Sequence, residues 1–404
     1  MSDEPEVALR RHLGLPLVTF YGLGTIIGAG IYVLLSEVAR TSGTLMPWAF
    51  MLAGVIASLT GACYAELSSR FPYAAGAVLY VDQAFGKATL SRVTGVLVLL
   101  TGIVSAATIS RGFVGYLDID WQLNPALAIV GLCLVMGAIT SVGIRESAWA
   151  ITIITLLEVI GLFLVLGFTS WGQEPVAQVE QLQFSGIEPL ILGAFLAFYA
   201  FIGFEDMVNL AEEVKNPRVN LPRAILLSIV ISSLLYFAVS VIAVLYVDLA
   251  QLGASSSPLA LMVSNHPGAV KTIGLIGLVA ITNGALTQII MASRMLYGMA
   301  RRGLLPGVFA QVNRRTRTPL LNTWLVTLAI MGFALWLPLV TLANTTSAIM
   351  LVIFALVNLS LLKVKKAETS ADGMPSFQVW RWIPLAGLVI NVCLLAYQTT
   401  TVMR

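Results

Sequence analysis

The sequence predicts an all-α polytopic membrane protein with about eleven transmembrane helices. Of its 404 residues, 58% are hydrophobic and only 11% are charged, and the mean hydropathy is +0.90. A soluble domain usually carries about 25% charged residues. The apolar residues also form long runs without charge, and a helix needs about 20 such residues to cross a bilayer.

Ten charge-poor runs account for the predicted spans. The fifth run contains a single charge, Glu158, and the ninth has 45 residues, which is enough for two spans. Pro338 and the polar residues 344–347 mark the expected turn between those two spans. The runs are 13–35, 41–65, 93–110, 123–144, 147–173, 189–204, 224–247, 272–293, 318–362 and 382–403.

The distribution of basic residues predicts the orientation of these spans. With the N-terminus in the cytoplasm, 19 of the 23 Lys and Arg residues fall in cytoplasmic segments, as the positive-inside rule requires. The run 13–35 is too long for a secretory signal and lacks a small-residue cleavage site, so we expect it to remain as an uncleaved anchor. These features predict an integral protein of the inner or plasma membrane.

The first span contains four glycines within nine residues: Gly22, Gly24, Gly28 and Gly30. Each costs about 1 kcal/mol relative to alanine inside a helix. One interpretation is close helix packing through the G-x-x-x-G pattern of Gly24 and Gly28. The other is a helix broken at the membrane midplane, which is tolerated only where the freed backbone lines a cavity. The N–H groups after such a break favour an anion and the carbonyls before it a cation, so the break suits a zwitterion.

The sixth span is irregular as well. Residues 188–212 begin apolar, continue through the motif FYAFIGFED at 198–206, and then become polar. Irregular spans at equivalent positions of two halves are the best sequence indication of a transporter site, which favours the broken helix. Five spans per half is an odd number, so the second half is inverted. We therefore predict one transmembrane domain over 1–404, with a first repeat at about 13–170, a second at about 187–363 and an additional span at about 382–403.

Five stretches carry a resemblance to a known family: GLGTIIGAGIYV (22–33), FPYAAGAVLYVDQAFG (71–86), GIRESAWAITIITLLE (143–158), FYAFIGFEDMVNLAEEVKNPRVNLPRAI (198–225) and ASRMLYGMARRGLLP (292–306). Together they resemble the amino acid–polyamine–organocation (APC) permeases over nearly the whole chain. The resemblance implies a leucine-transporter-like 5+5 inverted repeat, with spans 1 and 6 broken, and alternating access to a midplane site. The resemblance implies twelve spans, one more than the eleven predicted for this sequence.

The same resemblance implies how an amino acid substrate is bound. Its carboxylate is expected at the main-chain N–H groups of Gly28, Ala29 and Gly30. Its ammonium is expected at the carbonyls of Ile26, Tyr199, Ala200 and Ile202. Tyr199 also occupies the position of an aromatic gate in some relatives.

Two acidic residues are candidates for proton coupling. Glu158 is twelfth in the stretch 147–169, too central to reach the interface. A carboxylate there costs about 2.5–3.5 kcal/mol, so it should be neutral or face a polar cavity. The resemblance associates this position with lysine in proton-coupled relatives, so the sign is reversed here. A structural hydrogen-bonding role is the alternative for Glu158, and a polar plug in a vestibule is the alternative for Glu205.

The eighth span carries three polar residues, Asn283, Thr287 and Gln288, which either face the pathway or bond neighbouring helices. It offers few hydroxyls for a cation bridge to the first span, among them Thr287 and Ser293. A hard cation prefers about six oxygen ligands, so we expect transport to be independent of sodium.

These observations predict a secondary active transporter of amino acids, coupled to protons and working as an importer. An amino acid exchanger, an amine or polyamine permease and a non-transporting sensor are the alternatives. An intramembrane enzyme is disfavoured because Glu158 alone is fully embedded. We expect no cofactor, no metal and no nucleic-acid partner, whereas the basic stretch 294–317 can contact anionic lipid.

Overall fold

The computed structural model describes residues 11–74, 76–119, 121, 123–142, 148–170, 174–175, 186–301, 303–313, 315–316, 318–367 and 375–402. Within these ranges the chain is α-helical, and its one β-type contact is a bridge between Leu13 and Val214. The helices are α1 (Leu15–Ser42), α2 (Met46–Arg70), α3 (Gly76–Phe85), α4 (Ala88–Leu117), α5 (Pro125–Val142), α6 (Ala148–Ser170), α7 (Ile187–Phe198), α8 (Pro217–Tyr246), α9 (Leu249–Ala254), α10 (Pro258–Met262), α11 (Pro267–Arg301), α12 (Leu320–Trp336), α13 (Leu339–Ala367) and α14 (Trp382–Val402).

The predicted all-α membrane architecture is confirmed. Among the described residues, eight helical stretches are long and apolar enough to cross a bilayer, and the first of them, Leu15–Arg70, contains both α1 and α2. The shorter apolar helices Leu320–Trp336 and Trp382–Gln398 supply two more. Counting α1 and α2 separately, these helices match the eleven predicted spans one for one.

One detail of the predicted boundaries is wrong. Residues 344–347 do not form the turn before the tenth span, because α13 already begins at Leu339 and contains them. The hydroxyls of Thr345 and Thr346 donate to carbonyls four residues earlier, at 2.7 and 3.0 Å, so these two side chains are satisfied inside the helix. The turn lies at Pro338, as predicted.

Contacts between helices recur when both members of a pair are shifted by five spans along the chain. Spans 1–10 are, in order, α1, α2, α4, α5, α6, α7, α8, α11, α12 and α13. The pair α1–α8 has its counterpart, five spans on, in α7–α2, and the pair α4–α13 has its counterpart in α11–α6. In three further pairs the shift by five spans only exchanges the two partners, so each pair corresponds to itself: α2–α8, α4–α11 and α5–α12. This pattern is what two similarly folded halves of five spans produce.

The eleventh span, α14, lies outside this pattern and packs on α13 and α2. The segment before α14 is held by the carboxylate of Glu66, a fully buried residue near the end of α2. Glu66 forms ion pairs with Arg70 at 2.5 Å and with Lys365 of α13 at 2.8 Å, and it accepts the N–H of Val379 at 2.8 Å. Because each partner comes from a different segment, this cluster ties α14 to the bundle.

Large apolar side chains cover the outside of the bundle. Leu127, Phe163 and Trp336 are 69%, 60% and 86% exposed. A soluble protein rarely exposes so much apolar surface over a whole face. Such a surface is stable in contact with the lipid tails of a membrane. Aromatic side chains fill much of the interior, among them the fully buried Tyr236 and Phe204.

Candidate functional site

The helix of the first span is interrupted at one residue. α1 runs from Leu15 to Ser42, but at Gly28 the backbone has φ −12° and ψ −107° and leaves helical geometry. The break is therefore a kink at a single glycine within the predicted glycine-rich stretch. A Cβ built on Gly28 has no neighbour within 4 Å, so the kink borders open space.

The sixth span is interrupted over a longer stretch. α7 ends at Phe198, a 3₁₀ turn covers Tyr199–Phe201, and a 3₁₀ segment continues from Phe204 to Leu210. Gly203, between them, has φ 130°, a left-handed conformation that favours glycine. A Cβ built there would lie 2.4 Å from the carbonyl oxygen of Thr25, so glycine is required by space as well.

The two interruptions face each other and are bonded together. The Thr25 hydroxyl lies 3.1 Å from the Gly203 carbonyl oxygen, to which it donates. Gly30 packs directly on Ala200, because a Cβ built on Gly30 would lie 2.7 Å from the Ala200 Cα. The Tyr236 hydroxyl of α8 lies 2.8 Å from the Ile26 carbonyl oxygen and 2.9 Å from the Ala200 carbonyl oxygen. Tyr236 was not among the predicted site residues, because its hydroxyl is one of several within the apolar run 224–247.

A cavity of ≈ 40 Å³, here called the binding cavity, lies between the two interruptions. It has room for about three water molecules. Five of the seven predicted binding residues line it: Ile26, Gly28, Gly30, Tyr199 and Ile202. Ala200 lies behind Gly30, with its carbonyl bonded to Tyr236. The side chain of Ala29 lies outside the described part of the chain.

The opposite wall of this binding cavity is polar. Asn283, Thr287 and Gln288 of α11 all line it, as does Ser105 of α4. The hydroxyls of Ser105 and Tyr199 lie 3.0 Å apart and share a hydrogen bond, which fixes the predicted gate side chain. Of the two interpretations of the eighth-span polar residues, contact with the central cavity is the one that the structure shows.

Two further spaces lead away from the binding cavity toward one end of the bundle. The second cavity, ≈ 30 Å³, shares Ile202 and Gln288 with the first. A vestibule of ≈ 510 Å³ shares Asp206 and Met291 with the second cavity. Its wall includes Arg294, Glu212 and Glu213, which belong to the predicted cytoplasmic end.

The other end of the bundle is closed. The Ser36 hydroxyl of α1 donates to the Ser255 carbonyl at 2.7 Å. Gly115 of α4 packs against the Ser256 backbone so tightly that a Cβ would overlap it. The short helices α9 and α10 hold this connecting segment over the ends of α1 and α4. The two further spaces described above therefore lie on the side of the binding cavity away from these contacts.

Glu158 lies beside the binding cavity, not in its wall. Its side chain is 1% exposed, and neither carboxyl oxygen has a hydrogen-bond partner among the described residues. Its backbone carbonyl accepts the Tyr32 hydroxyl of α1 at 3.0 Å. α6, which carries Glu158, packs on α1, α8 and α11, so the carboxyl group belongs to the core around the first-span kink.

Glu205 and Asp206 both reach the second cavity. One carboxylate oxygen of Glu205 accepts the Gly203 N–H at 2.9 Å and so caps the start of the second half of the sixth span. Asp206 is 7% exposed and lines the vestibule as well. Glu205 was a predicted site residue and Asp206 was not, although two adjacent acids within an apolar motif are a visible signal.

The described residues hold no group of three or more His, Cys, Asp or Glu side chains that could bind a metal ion. The site therefore consists of backbone polar groups, hydroxyls, amides and a few buried carboxylates. A central cavity between two interrupted helices, in a bundle of paired spans, defines a membrane transporter architecture.

Comparison with known proteins agrees with this class. A family model described as amino acid permease matches residues 13–403, and the chain belongs to that family. The chain is 31% identical over 389 residues to the mitochondrial cationic amino acid transporter 3 of Arabidopsis thaliana, covering 88% of this chain and 63% of that relative. It is 28% identical to the methylthioribose transporter and 26% identical to the branched-chain amino acid permease BcaP of Bacillus subtilis (strain 168), each covering 96% of this chain and 88% of the relative.

The chain spans less than two thirds of the length of the plant relative. All three relatives are named as transporters or permeases, and none of these names describes an enzyme. The three names specify different solutes, so they leave the substrate side chain undetermined.

Proposed function

We propose that this protein is a secondary active transporter that moves amino acids across the cell membrane by alternating access. The observation that carries the proposal is the pair of interrupted helices, joined at Gly30 and Ala200, with the binding cavity between them. Family membership and the names of the relatives support an amino acid as the solute.

The substrate is bound through its α-carboxylate and α-ammonium groups. Its carboxylate lies at the main-chain N–H groups of Gly28, Ala29 and Gly30, where the second half of α1 begins and its dipole favours an anion. Its ammonium lies at the carbonyls of Ile26, Tyr199, Ala200 and Ile202. The Tyr236 hydroxyl already lies within hydrogen-bonding distance of two of these carbonyls. Each carbonyl oxygen has a second lone pair, which leaves it able to accept the ammonium too.

Import is coupled to protons through Glu158. An unpaired carboxylate at membrane depth is costly, so the group carries a proton unless a cation or a polar opening compensates it. Its helix packs on α1 close to the kink, and movement of α1 during the cycle would change the surroundings of the carboxyl group. Glu205 is the second candidate, although its bond to Gly203 favours a role as a helix cap.

Alternating access follows from the two ends of the bundle. The closed end at Ser36 and Ser255 is the external gate, and the vestibule beside Arg294 opens to the cytoplasm. The N-terminus is cytoplasmic in this orientation. The moving units belong to the two repeats, at about 13–170 and 187–363, with the span at about 382–403 as an addition.

The test measures uptake of each of the twenty amino acids by purified protein in liposomes. Uptake is compared without a pH gradient, with an inside-acidic gradient and with an outside-acidic gradient. Accumulation driven by an outside-acidic gradient supports proton-coupled import. Uptake that requires preloaded amino acid identifies an exchanger. Equal competition by amines without a carboxylate identifies an amine permease. Absence of uptake for all twenty contradicts the proposal and leaves a sensor as the alternative.

A further inference from the structure

The binding cavity and the vestibule meet at two side chains. Tyr21 of α1 and Thr287 of α11 line both spaces. The vestibule measures ≈ 510 Å³ and the binding cavity ≈ 40 Å³, so a solute has ample room on one side of this pair and little on the other. A solute that passes directly from the binding cavity to the vestibule must therefore pass between Tyr21 and Thr287.

Tyr21 lies where the binding cavity ends along α1. It precedes Gly24, Thr25 and Gly28 by three, four and seven residues, which is the spacing of one helix face, and all four residues line the binding cavity. Of the described residues of α1, Tyr21 alone also lines the vestibule. Its position on the first span is thus the boundary between the two spaces.

The facing helix, α11, continues from one space into the other. Asn283 lines the binding cavity, Met291 and Gly298 line the vestibule, and Thr287 lies between them. The Thr287 hydroxyl donates to the Asn283 carbonyl at 2.9 Å, so it is satisfied within its own helix. Because the threonine side chain is short and the tyrosine side chain is large, the Tyr21 ring forms the greater part of the barrier.

A second connection is less suited to a solute. Ile202 and Gln288 line both the binding cavity and the second cavity, which measures ≈ 30 Å³ and has room for about two water molecules. Ile202 is 8% exposed, and its N–H donates to the Tyr199 carbonyl at 3.1 Å, so widening this connection disturbs the backbone of the sixth span. Tyr21 is half-buried and borders the large vestibule, so its ring can turn by rotation of the side chain alone.

We propose that Tyr21 is the inner gate: its ring separates the binding cavity from the vestibule and turns away when substrate passes. This inference rests on the proposed function, because a gate requires a transport route. Tyr199, the predicted aromatic gate, lines the binding cavity but not the vestibule, and its hydroxyl shares a hydrogen bond with Ser105. The two tyrosines therefore have different positions on the route.

The experiment measures how fast a reagent reaches the binding cavity from the vestibule. Asn283→Cys places a thiol in the binding cavity, and Gly298→Cys places one in the vestibule, where an added Cβ has no neighbour within 4 Å. Both are made in the full chain with Cys393→Ser, because Cys393 is exposed. A charged, membrane-impermeant methanethiosulfonate reagent is added to membrane vesicles whose cytoplasmic face is outward, and the labelling rate is followed by mass spectrometry.

We expect Tyr21→Ala to raise the labelling rate at position 283 at least about tenfold, because the open form of a gate is a minor state of about 0.1–10%. Tyr21→Leu keeps an apolar side chain in the core and should raise this rate as well, so the test does not depend on the alanine variant folding. Tyr21→Phe retains the ring and should leave the rate unchanged. The rate at position 298 should be the same in every variant.

An unchanged rate at position 283 in both Tyr21→Ala and Tyr21→Leu would overturn the inference. A rise in Gln288→Ala without a rise in Tyr21→Ala would also overturn it, because the barrier would then lie at the second cavity. Cys63 and Cys133 are buried, so faster labelling of either in Tyr21→Ala would indicate a loosened bundle and count against a gate. Labelling does not require transport. Absence of amino acid uptake by the unmodified protein would therefore refute the proposed function, whereas the labelling rates decide the position of the barrier.

Discussion

The contact between Gly30 and Ala200 predicts a large effect from adding one methyl group. In Gly30→Ala the new Cβ would lie 2.7 Å from the Ala200 Cα and 3.0 Å from the Ala200 carbonyl oxygen, whereas ordinary contacts begin at 3.4 Å. The obstructing atoms belong to backbone, so the two interrupted helices must separate by about 0.7 Å, the difference between 3.4 and 2.7 Å. Overpacking of this kind costs about 1–3 kcal/mol.

The same displacement acts on the substrate. A hydrogen bond of about 2.9 Å becomes about 3.6 Å when one partner moves away by 0.7 Å, which is beyond bonding distance. Loss of one charge-assisted bond corresponds to about 1.5–3 kcal/mol, or about a 10- to 150-fold rise in the substrate dissociation constant. We therefore expect Gly30→Ala to raise the apparent KM at least about tenfold in liposome uptake.

The matched control is Gly298→Ala on α11, where an added Cβ has no neighbour within 4 Å. This variant should fold and transport as the unmodified protein does. Amino acid amides, which lack the charged carboxylate, should compete poorly in every variant. If Gly30→Ala transports with an unchanged KM and Tm, the interrupted helices do not form the binding site and the glycines serve another purpose.

Three further predictions test the remaining parts of the mechanism. Glu158→Gln should lose accumulation driven by a pH gradient but keep exchange of internal for external substrate, because exchange moves no net proton; retained accumulation would shift the coupling role to Glu205. Tyr236→Phe leaves the Ile26 and Ala200 carbonyls without their donor and should lower stability by about 1–3 kcal/mol, with partial recovery in saturating substrate, as measured by thermal unfolding; an unchanged Tm would show that the bond is dispensable. Replacing sodium by choline should leave uptake unchanged, and strict sodium dependence would contradict the count of oxygen ligands.

The sequence predicted the architecture well because hydrophobic length and charge asymmetry are summed over many residues. Each span needs about 20 apolar residues, so a single substitution does not obscure a span. The interruption at Gly28 was also predictable, since glycine repeated within a membrane helix carries a cost that only packing or a break explains. The turn predicted at the polar run 344–347 was wrong because the hydroxyls of Thr345 and Thr346 bond to their own helix, and sequence composition does not distinguish that from a turn.

The residues that sequence reasoning missed act through contacts between distant spans. Tyr236 is 210 residues from Ile26 and 36 from Ala200, and only the packing of α8 brings its hydroxyl to both. Asp206 lies next to Glu205 in the sequence, but their environments differ. One carboxylate accepts the Gly203 N–H, whereas the other lines both the second cavity and the vestibule. Adjacent positions in a 3₁₀ segment point in different directions, so the roles diverge only in three dimensions.

The bond network at the junction suggests why substrate binding should alter the relative position of the two interrupted helices. The Tyr236 hydroxyl has one proton and lies near two carbonyls, so at any moment one of them lacks a full hydrogen bond. An α-ammonium group brings three protons and can donate to carbonyls of both helices at once. Binding would then supply the missing donors and strengthen the contact between α1 and the sixth span. A ligand shifts a conformational equilibrium only through such differential contacts, and these carbonyls provide them at the centre of the bundle.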